Sequence, residues 1–328
     1  MLEIFYHPLY TSGISKNSKF PRDRYRLIFE SISNSKANKK IKFRTPEKID
    51  LDLLYNVHQK EYVDNFIDGT LSESKQRAIG LRPWTKDIVD RTLFIMGGGI
   101  NALDSAIKNG ISSNLAGGTH HAHYDYGSGY CIFNDIALTA NYCKNKYKEY
   151  QNILVLDLDV HQGDGSATML KDVEGVFTFS MHCRGNFPLK KQKSDLDVDL
   201  EKGTGDEEYI EILKENLYKL KNIKFDIVFF QAGVDSLKFD SLGHLDLTQD
   251  GMKERNKLVL EFCTTQKLPL LIFMGGGYSD PIDHTVKAFH NLFVQCTKTI
   301  GTIKSQALFL KMVFFGFHVL DKLFLPQL

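Results

Sequence analysis

The segment NILVLDLDVHQGDG, residues 152–165, indicates the fold class of this chain. Its first half is a nearly uninterrupted apolar run, which is typical of a strand buried on both faces of a parallel sheet. We expect this strand to cover Ile153–Val160. Its second half is charged and contains two glycines, which favour a sharp turn after the strand. Open α/β sheets build their sites at such carboxyl ends, so this turn is the first candidate site.

Similar apolar runs recur along the chain and alternate with segments of helical periodicity. The other predicted strands are Leu2–Tyr6, Val176–Met181, Asp226–Ala232 and Pro269–Met274. A helix is predicted over Asp206–Leu220, and Thr204 and Glu207 have the spacing of a capping box that would open it. Strands that alternate with helices imply an α/β fold with a parallel sheet covered on both faces.

The composition is that of an ordinary globular protein, with 328 residues, 42% hydrophobic and 25% charged. The net charge of +1 gives no reason to expect direct nucleic-acid binding. Five scattered cysteines without CxxC spacing favour a reducing compartment over disulfides or a thiolate zinc site. No signal peptide or membrane span is evident, so we expect a cytoplasmic protein, or a nuclear one if the source is eukaryotic.

No repeat or linker divides the chain, so we expect one catalytic domain over residues 1–300. The polar stretch SISNSKANKK, residues 31–40, is predicted to be a loop or a helix end. The tail, residues 301–328, is rich in Phe and Leu, which favours a docked or partner-binding helix. The sequence leaves the oligomeric state open.

Ionisable side chains cluster at the end of the strand that begins at Ile153. Side chains alternate along a strand, so Asp157, Asp159 and His161 are expected on one face. Three such groups on a buried strand are costly unless they are paired or bind a metal ion. The glycines after them bring Asp164 beside the same point.

Two other predicted strands are also followed by polar residues, and one loop is rich in histidine. Asp235 follows the strand at Asp226–Ala232, and Tyr278 follows the sequence GGG after Pro269–Met274. The loop is AGGTHHAHYDYGSGYC, residues 116–131, whose glycines and histidines are poorly suited to a core. Each feature alone is usual for a turn or a helix cap. Their convergence on one edge of one sheet favours a functional site.

The residue types at this edge suit a metal-assisted amide hydrolase. Asp159, His161 and Asp235 are the best ligand set, and one imidazole with two carboxylates suits catalytic Zn²⁺, or Fe²⁺ or Mn²⁺ in its place. Such an ion polarises a carbonyl and lowers the pKa of its bound water to about 7.

The sequence also supplies acid–base groups that could work with this ligand set. The pair His120 and His121 can supply a general base and a general acid, with Asp157 and Asp164 as partners that orient the rings. Tyr278 can donate a hydrogen bond to a developing oxyanion.

Four motifs together resemble the zinc-dependent histone deacetylase family. They are GGTHHAHYDYGSGYCIFND, VLDLDVHQGDG, FQAGVDSLKFDSLGHLDLT and MGGGYS, and the resemblance runs from about His7 to about Ile300. The stretches HPLYTS, KFPRDRYRLIFE and HCRGNFPLKKQKSDLDVDLEKGTGDEEY look closest to class IV and related bacterial-type members. The resemblance implies an arginase/deacetylase fold around an eight-stranded parallel sheet, and a lysine deacetylase activity.

The resemblance also implies a role for individual residues. Asp159, His161 and Asp235 would be the zinc ligands. His121 would be the general base and His120 an electrostatic group, with Asp164 as the partner of His121 and Asp157 as the partner of His120. Tyr278 would polarise the acetyl carbonyl. The resemblance also implies an acyl-lysine tunnel with Gly129 and Tyr130 in its wall. It implies a K⁺ site on main-chain oxygens of Asp157, Asp159 and His161 with Ser180 and Met181.

A tyrosine at position 278 disfavours the weakly active branch of the family, which has histidine at this position. Gln162 departs from the second histidine of many class I members, and His123 is interpreted as a loop residue.

Several functions remain open at this point. The substrate can be acetyl-lysine or long-chain acyl-lysine in a protein, or a small acetylated amine such as an acetylpolyamine. An arginase-like enzyme with two manganese ions is disfavoured because it needs further aspartates and would leave the histidine pair idle. A silent acyl-lysine binding scaffold is disfavoured because no ligand, tandem histidine or tyrosine is missing.

Overall fold

The computed structural model describes residues 1–323, with side chains through residue 303. The described part contains eight strands: β1 (Leu2–Phe5), β2 (Ile41–Arg44), β3 (Ile111–Asn114), β4 (Ile153–Asp157), β5 (Val176–Cys183), β6 (Leu196–Leu200), β7 (Ile227–Gln231) and β8 (Leu270–Phe273). Its α-helices are α1 (Arg24–Ser33), α2 (Leu51–Tyr55), α3 (Lys60–Ile67), α4 (Glu73–Ile79), α5 (Asp87–Asn109), α6 (Asp135–Lys146), α7 (Asp164–Leu170), α8 (Asp206–Leu220), α9 (Gln249–Gln266) and α10 (Asp283–Leu323).

The eight strands form one parallel sheet in the order β2-β1-β3-β8-β7-β4-β5-β6. The predicted α/β fold with an eight-stranded parallel sheet is therefore confirmed. In the centre of the sheet, Asp157 at the end of β4 is in register with Gln231 of β7 and Ser180 of β5. The carboxyl ends of these strands, and the loops that follow them, therefore meet at one edge.

Helices cover both faces of this sheet, as the alternation of strands and helices predicted. In β4, Leu154 and Leu156 pack in a core with α1, α8, α9 and α10. Ile153 and Val155 point to the other face and pack against α5, α6 and α7. This alternation explains why β4 is apolar throughout, since both of its faces are buried.

The end of β4 differs from the prediction. The strand stops at Asp157, so Asp159 and His161 do not continue its alternation. The backbone N–H of Asp159 donates to the Asp157 carboxylate over 3.0 Å, and that of His161 donates to the Asp159 carboxylate over 3.0 Å. Carboxylates have replaced the neighbouring strand as acceptors here, which ends the ladder while keeping the buried N–H groups paired.

The helix at Asp206–Leu220 has the predicted bounds, but the predicted capping box is wrong. The residue before the helix is Gly205, and no side chain caps its first turn. Three acidic residues, 206–208, occupy that turn and face the positive end of the helix dipole. Their charge substitutes for the missing cap.

Three strands were not predicted from the sequence. In β3 (ISSN), two polar residues are fully buried, and their hydroxyls are satisfied because Ser112 donates to the carbonyl of Glu3 and Ser113 to that of Ile272. β2 and β6 lie at the two edges of the sheet, where apolar runs are short. The polar stretch 31–40 holds the end of α1 and a 3₁₀ helix at Lys36–Lys40, in agreement with the prediction.

Helix α10 passes through residue 300 without a break and extends to Leu323. The predicted packing of the tail falls beyond residue 303, outside the described side chains, and the domain division at residue 300 stays a prediction. None of the helices in the described part of the chain is long and apolar enough to cross a membrane.

Candidate active site

Three buried donor groups converge where β4 and β7 end. Asp159 and His161 follow β4, and Asp235 follows β7, its neighbour in the sheet. The Nδ1 atom of His161 lies 3.1 Å from Asp159 Oδ1 and 3.0 Å from Asp235 Oδ2. One ligand atom from each residue lies within 4.8 Å of the others. The structure thus brings the predicted ligand set together in a group that can hold a metal ion.

The electrostatics of this group fit a cation. Burial and the negative charge of Asp159 raise the pKa of Asp235 to about 7. Burial opposes protonation of His161, but its hydrogen bonds with both carboxylates outweigh this effect and raise its pKa to about 10. Two carboxylates that share one buried point require positive charge there. A divalent ion with oxygen and imidazole ligands satisfies that requirement.

The glycine loop after β8 closes around the two carboxylates. The N–H of Gly276 donates to Asp159 Oδ2 over 2.7 Å. A Cβ atom on Gly276 would overlap the carboxylate of Asp235, so no other residue fits without displacing a ligand. Gly275 adopts a positive φ of 68°, which glycine adopts at low cost. These constraints explain the run GGG before Tyr278.

The two tandem histidines are each paired with a buried carboxylate. His120 Nδ1 lies 2.8 Å from Asp157 Oδ2, and His121 Nδ1 lies 2.6 Å from Asp164 Oδ1. The ring centroids of the two histidines are 4.1 Å apart. Each pair is the one expected from the sequence. Because Nδ1 faces the carboxylate, Nε2 of each ring is directed away from it and is available to other groups.

Their surroundings shift the two pKa values in opposite directions. Burial would lower the pKa of His120, but the charges of Asp157 and Asp159 outweigh it and raise this pKa to about 9. Burial and the neighbouring charge of His120 lower the pKa of His121 to about 4, against the effect of Asp164. At neutral pH one ring is therefore charged, and the other is neutral and able to accept a proton.

The loop that carries this pair is anchored by Asp135, which the sequence analysis missed. Its carboxylate accepts hydrogen bonds from the N–H groups of Gly118 and Thr119, at 2.8 and 2.7 Å, and from the Thr119 hydroxyl at 2.7 Å. Asp135 is the first residue of α6, so the loop is tied to a helix terminus. The sequence feature that could have pointed to Asp135 is its position in FND, at the end of the motif that contains the histidine loop.

Tyr278 lies half-buried beside the ligand group, with its ring in the wall of a cavity. Its N–H donates to Asp240 Oδ2 over 2.6 Å, which fixes the backbone at this point. Burial raises the pKa of its hydroxyl well above the usual value. The hydroxyl therefore keeps its proton at neutral pH and remains a hydrogen-bond donor.

The cavity leads to the ligand group and has a volume of about 40 Å³. Gly129 and Tyr130 line it, as expected, together with both tandem histidines, Asp159 and His161. Tyr130 adopts a φ of 67°, and its ring centroid lies 5.7 Å from that of Tyr278. The ring of Phe187, which the sequence analysis did not single out, packs edge-on to His121 with centroids 4.9 Å apart.

Two buried arginines line the same cavity, and neither was predicted from the sequence as a site residue. Arg24 donates to the carbonyl oxygens of Gly275, at 2.9 Å, and Gly277, at 3.1 Å. Arg91 donates to the carbonyl oxygen of Tyr10 at 2.9 Å. Within the described part of the chain, neither forms an ion pair with a carboxylate. Their charge therefore remains available to an anionic or carbonyl group in the cavity.

The remaining predicted residues also lie near the end of β4. Ser180 and Met181 are in β5, directly beside it, and the K⁺ site there stays a prediction. Gln162 donates to Asp197 Oδ1 over 2.8 Å and so ties the loop after β4 to β6. His123 lies in a loop, as interpreted, but it is buried and its ring contacts Asp164.

Comparisons with known proteins identify the family of the chain. The model of the histone deacetylase domain matches residues 18–293. An uncharacterised protein of Picosynechococcus sp. is 40% identical over 90% of this chain and 98% of its own length. Histone deacetylase 2 of Arabidopsis thaliana is 32% identical over 56% of this chain and 48% of its own length. The acetoin utilization protein AcuC of Staphylococcus aureus is 29% identical over 79% of this chain and 72% of its own length. With its parallel sheet and a family match over most of its length, the chain belongs to the histone deacetylase family and has the arginase/deacetylase fold.

Proposed function

We propose that this protein is a metal-dependent amidohydrolase that removes acetyl groups from lysine side chains. The observation that carries this proposal is the position of the Asp159–His161–Asp235 group beside two carboxylate-paired histidines and a protonated tyrosine. Asp159, His161, the two histidines and Tyr278 all border one narrow cavity, and Asp235 completes the ligand group beside it. A site with these parts can activate water, polarise an amide carbonyl and protonate an amine.

Asp159, His161 and Asp235 would hold the cation, and we propose Zn²⁺, with Fe²⁺ as the replacement that the same ligands accept. When bound, the cation supplies a Lewis acid that polarises the amide carbonyl and acidifies a water molecule. By the family resemblance, main-chain oxygens of Asp157, Asp159 and His161 would hold K⁺ together with Ser180 and Met181.

The histidines divide the proton transfers between them. His121 is neutral at pH 7, so its Nε2 takes a proton from the attacking water while Asp164 stabilises the resulting imidazolium. The same proton then passes to the lysine nitrogen as the C–N bond breaks, which leaves acetic acid and a free lysine amine. The acid then gives up its proton, and the amine takes one up, so that the products are acetate and lysine ammonium. His120, held by Asp157, carries positive charge next to the developing oxyanion and stabilises it.

Tyr278 and the cavity wall position the substrate. The hydroxyl of Tyr278 donates a hydrogen bond to the carbonyl oxygen as it gains charge. Tyr130 and Gly129 line the cavity, and Phe187 packs against His121, so the two rings offer apolar surfaces to the methylenes of the lysine side chain.

The size and charge of the cavity support acetyl as the acyl group. The cavity is small, about 40 Å³, which favours a short acyl group over a fatty chain. Arg24 and Arg91 border this space, and a long aliphatic chain would bury their charges against apolar atoms.

The test is hydrolysis of paired fluorogenic peptides that carry acetyl-lysine or myristoyl-lysine, with and without a zinc chelator. We expect chelator-sensitive turnover with a clear preference for the acetyl peptide. A preference for myristoyl-lysine would overturn the assignment of acyl length. Turnover of acetylpolyamines without turnover of either peptide would assign the enzyme to small amines.

A further inference from the structure

His123 is bound more tightly than a surface loop residue requires. It is 7% exposed, and both of its ring nitrogens have hydrogen-bond partners. Nε2 lies 3.1 Å from Asp164 Oδ2, and Nδ1 lies 2.9 Å from the Thr168 hydroxyl. A buried imidazole with both nitrogens engaged is held in one orientation.

The Asp164 carboxylate is shared between two imidazoles. Its Oδ1 contacts His121 Nδ1 at 2.6 Å, and its Oδ2 contacts His123 Nε2 at 3.1 Å. Among the described residues, these two histidines are the side chains that hydrogen-bond this carboxylate. Rotation of the carboxylate away from His121 would therefore break both contacts.

From this arrangement we infer that His123 is a positioning residue, which holds the Asp164 carboxylate in line with His121. This inference rests on the proposed function, in which His121 is the base and Asp164 orients it. It assigns a task to the third histidine of the loop, which the motif alone left without one.

The surroundings of His123 hold it in turn. Its N–H donates to the carbonyl oxygen of Tyr126 at 2.8 Å, and its own carbonyl oxygen lies 3.0 Å from His58 Nδ1. His58 is fully buried, and its Nε2 accepts the N–H of Asn134 at 3.0 Å. Burial lowers the pKa of His58 to about 4, so it remains a neutral donor to the loop.

Tyr126 covers the outer face of the His123 ring. The two rings stack with centroids 4.4 Å apart and an angle of 15° between their planes. Tyr126 is 40% exposed, whereas His123 beneath it is only 7% exposed, so the tyrosine ring separates His123 from solvent. The hydrogen bond between His123 and Asp164 is thus kept in a dry environment, where it is stronger than in water.

Thr168 keeps this contact in place whether His123 is neutral or protonated. Its hydroxyl can donate to a neutral Nδ1, or accept from a protonated Nδ1 while donating to the carbonyl oxygen of Gly165, 2.9 Å away. In both forms Nε2 carries a proton and donates to Asp164.

The test compares three variants of the full chain with bound zinc. His123→Leu fills the volume without a donor, whereas in His123→Gln the amide nitrogen replaces Nε2 and donates to Asp164. We expect the Leu variant to lower kcat for an acetyl-lysine peptide by about 10-fold or more, as loss of an orienting partner typically does, with KM and zinc content unchanged. The Gln variant should recover most of kcat. His290→Leu removes a partly buried hydrogen bond of another histidine, to Ser31 at 2.8 Å, and should leave kcat unchanged.

A second readout does not depend on turnover. The proton in the short hydrogen bond between His121 and Asp164 should give a low-field NMR resonance. We expect the Leu variant to shift or lose this resonance and the Gln variant to keep it. If these changes appear in a protein that hydrolyses no acyl-lysine substrate, the positioning role stands and the proposed function fails.

Two results would overturn the inference. One is a folded Leu variant with wild-type kcat and an unchanged resonance. The other is an equal loss of kcat in the Leu and Gln variants. Should the Leu variant fail to fold, His123→Asn takes its place, because its shorter side chain keeps the contact to Thr168 and loses that to Asp164.

Discussion

At the scale of single residues, two adjacent and chemically identical side chains acquire different protonation states. His120 faces the two carboxylates of Asp157 and Asp159, whereas His121 faces Asp164 and the charge of His120 itself. Asp157 and Asp164 were predicted from the sequence as the partners of the two rings, and the family resemblance implied which carboxylate pairs with which histidine. The difference between the two pKa values could not be predicted from the sequence. It depends on the distance of 3.9 Å between His120 Nε2 and Asp159 Oδ1, which is determined by the fold.

The raised pKa of His120 predicts a pH dependence of stability. A group whose pKa rises on folding stabilises the protein below its unfolded pKa, and the effect is lost as the pH rises through the folded value. For His120 the unfolded value is 6.5 and the folded value about 9. In metal-free protein, we expect the free energy of unfolding to fall between these pH values, and to fall less in His120→Gln. Urea unfolding at several pH values measures this, and identical pH profiles for the two proteins would contradict the assignment.

Tyr278 gives the second prediction at this scale. Tyr278→Phe should bind zinc normally and lower kcat for an acetyl-lysine peptide by about 10²–10³-fold, the usual effect of removing an oxyanion donor. Tyr218→Phe is a matched control, since Tyr218 lies on α8 with 70% of its surface exposed. Full activity in the Tyr278 variant would remove the tyrosine from the mechanism.

At the scale of elements, apolar runs predicted the central strands well, and short or polar strands were missed. β4, β5, β7 and β8 are recognisable because both of their faces are buried. β3 was not recognisable in the same way. Its serines are buried because their hydroxyl groups donate to carbonyl oxygens of neighbouring strands, and such long-range hydrogen bonds leave no apolar pattern in the local sequence. The predicted strand at Ile153 ended too late for a similar reason, since the carboxylates that terminate it come partly from residue 235.

The anchoring of the histidine loop to α6 can be tested directly. Asp135→Ala removes the acceptor of three donors, the buried N–H of Gly118 and the partly buried N–H and hydroxyl of Thr119, and a buried donor without a partner costs about 1–3 kcal/mol. We expect a loss of at least about 2 kcal/mol in the free energy of unfolding, together with reduced turnover. Asp87→Ala, at the same helix position in α5 but exposed, should change stability little. Equal stabilities of the two variants would show that Asp135 does not anchor the loop.

At the scale of the whole molecule, residues from distant parts of the chain close the cavity. Arg24 comes from α1, Arg91 from α5 and Tyr278 from the loop after β8. The sequence predicted the fold class and the chemistry of the sheet edge, because both follow from local patterns at strand ends. It did not assign the arginines or Phe187 to the site. Arg24 and Phe187 lie in stretches that resemble the family, but neither those stretches nor the surroundings of Arg91 show which side chain reaches the cavity.

The arginines predict how the acyl group is selected. Arg91→Leu should weaken the preference for acetyl over longer acyl groups, since it removes a buried charge and adds apolar surface. Comparing kcat/KM for acetyl-, butyryl- and octanoyl-lysine peptides measures this preference. The same acyl profile in the variant and the parent protein would show that Arg91 has no part in selectivity.

We expect amide hydrolysis to require one metal ion on Asp159, His161 and Asp235. The most direct test strips the protein with a chelator and follows turnover of an acetyl-lysine peptide as Zn²⁺ is added back, beside Asp235→Asn. We predict turnover that rises to a plateau at one ion per chain, and none in the variant at the same Zn²⁺ concentrations. Turnover that survives chelation, or a plateau at two ions per chain, would show that the enzyme does not work with a single metal ion at this site.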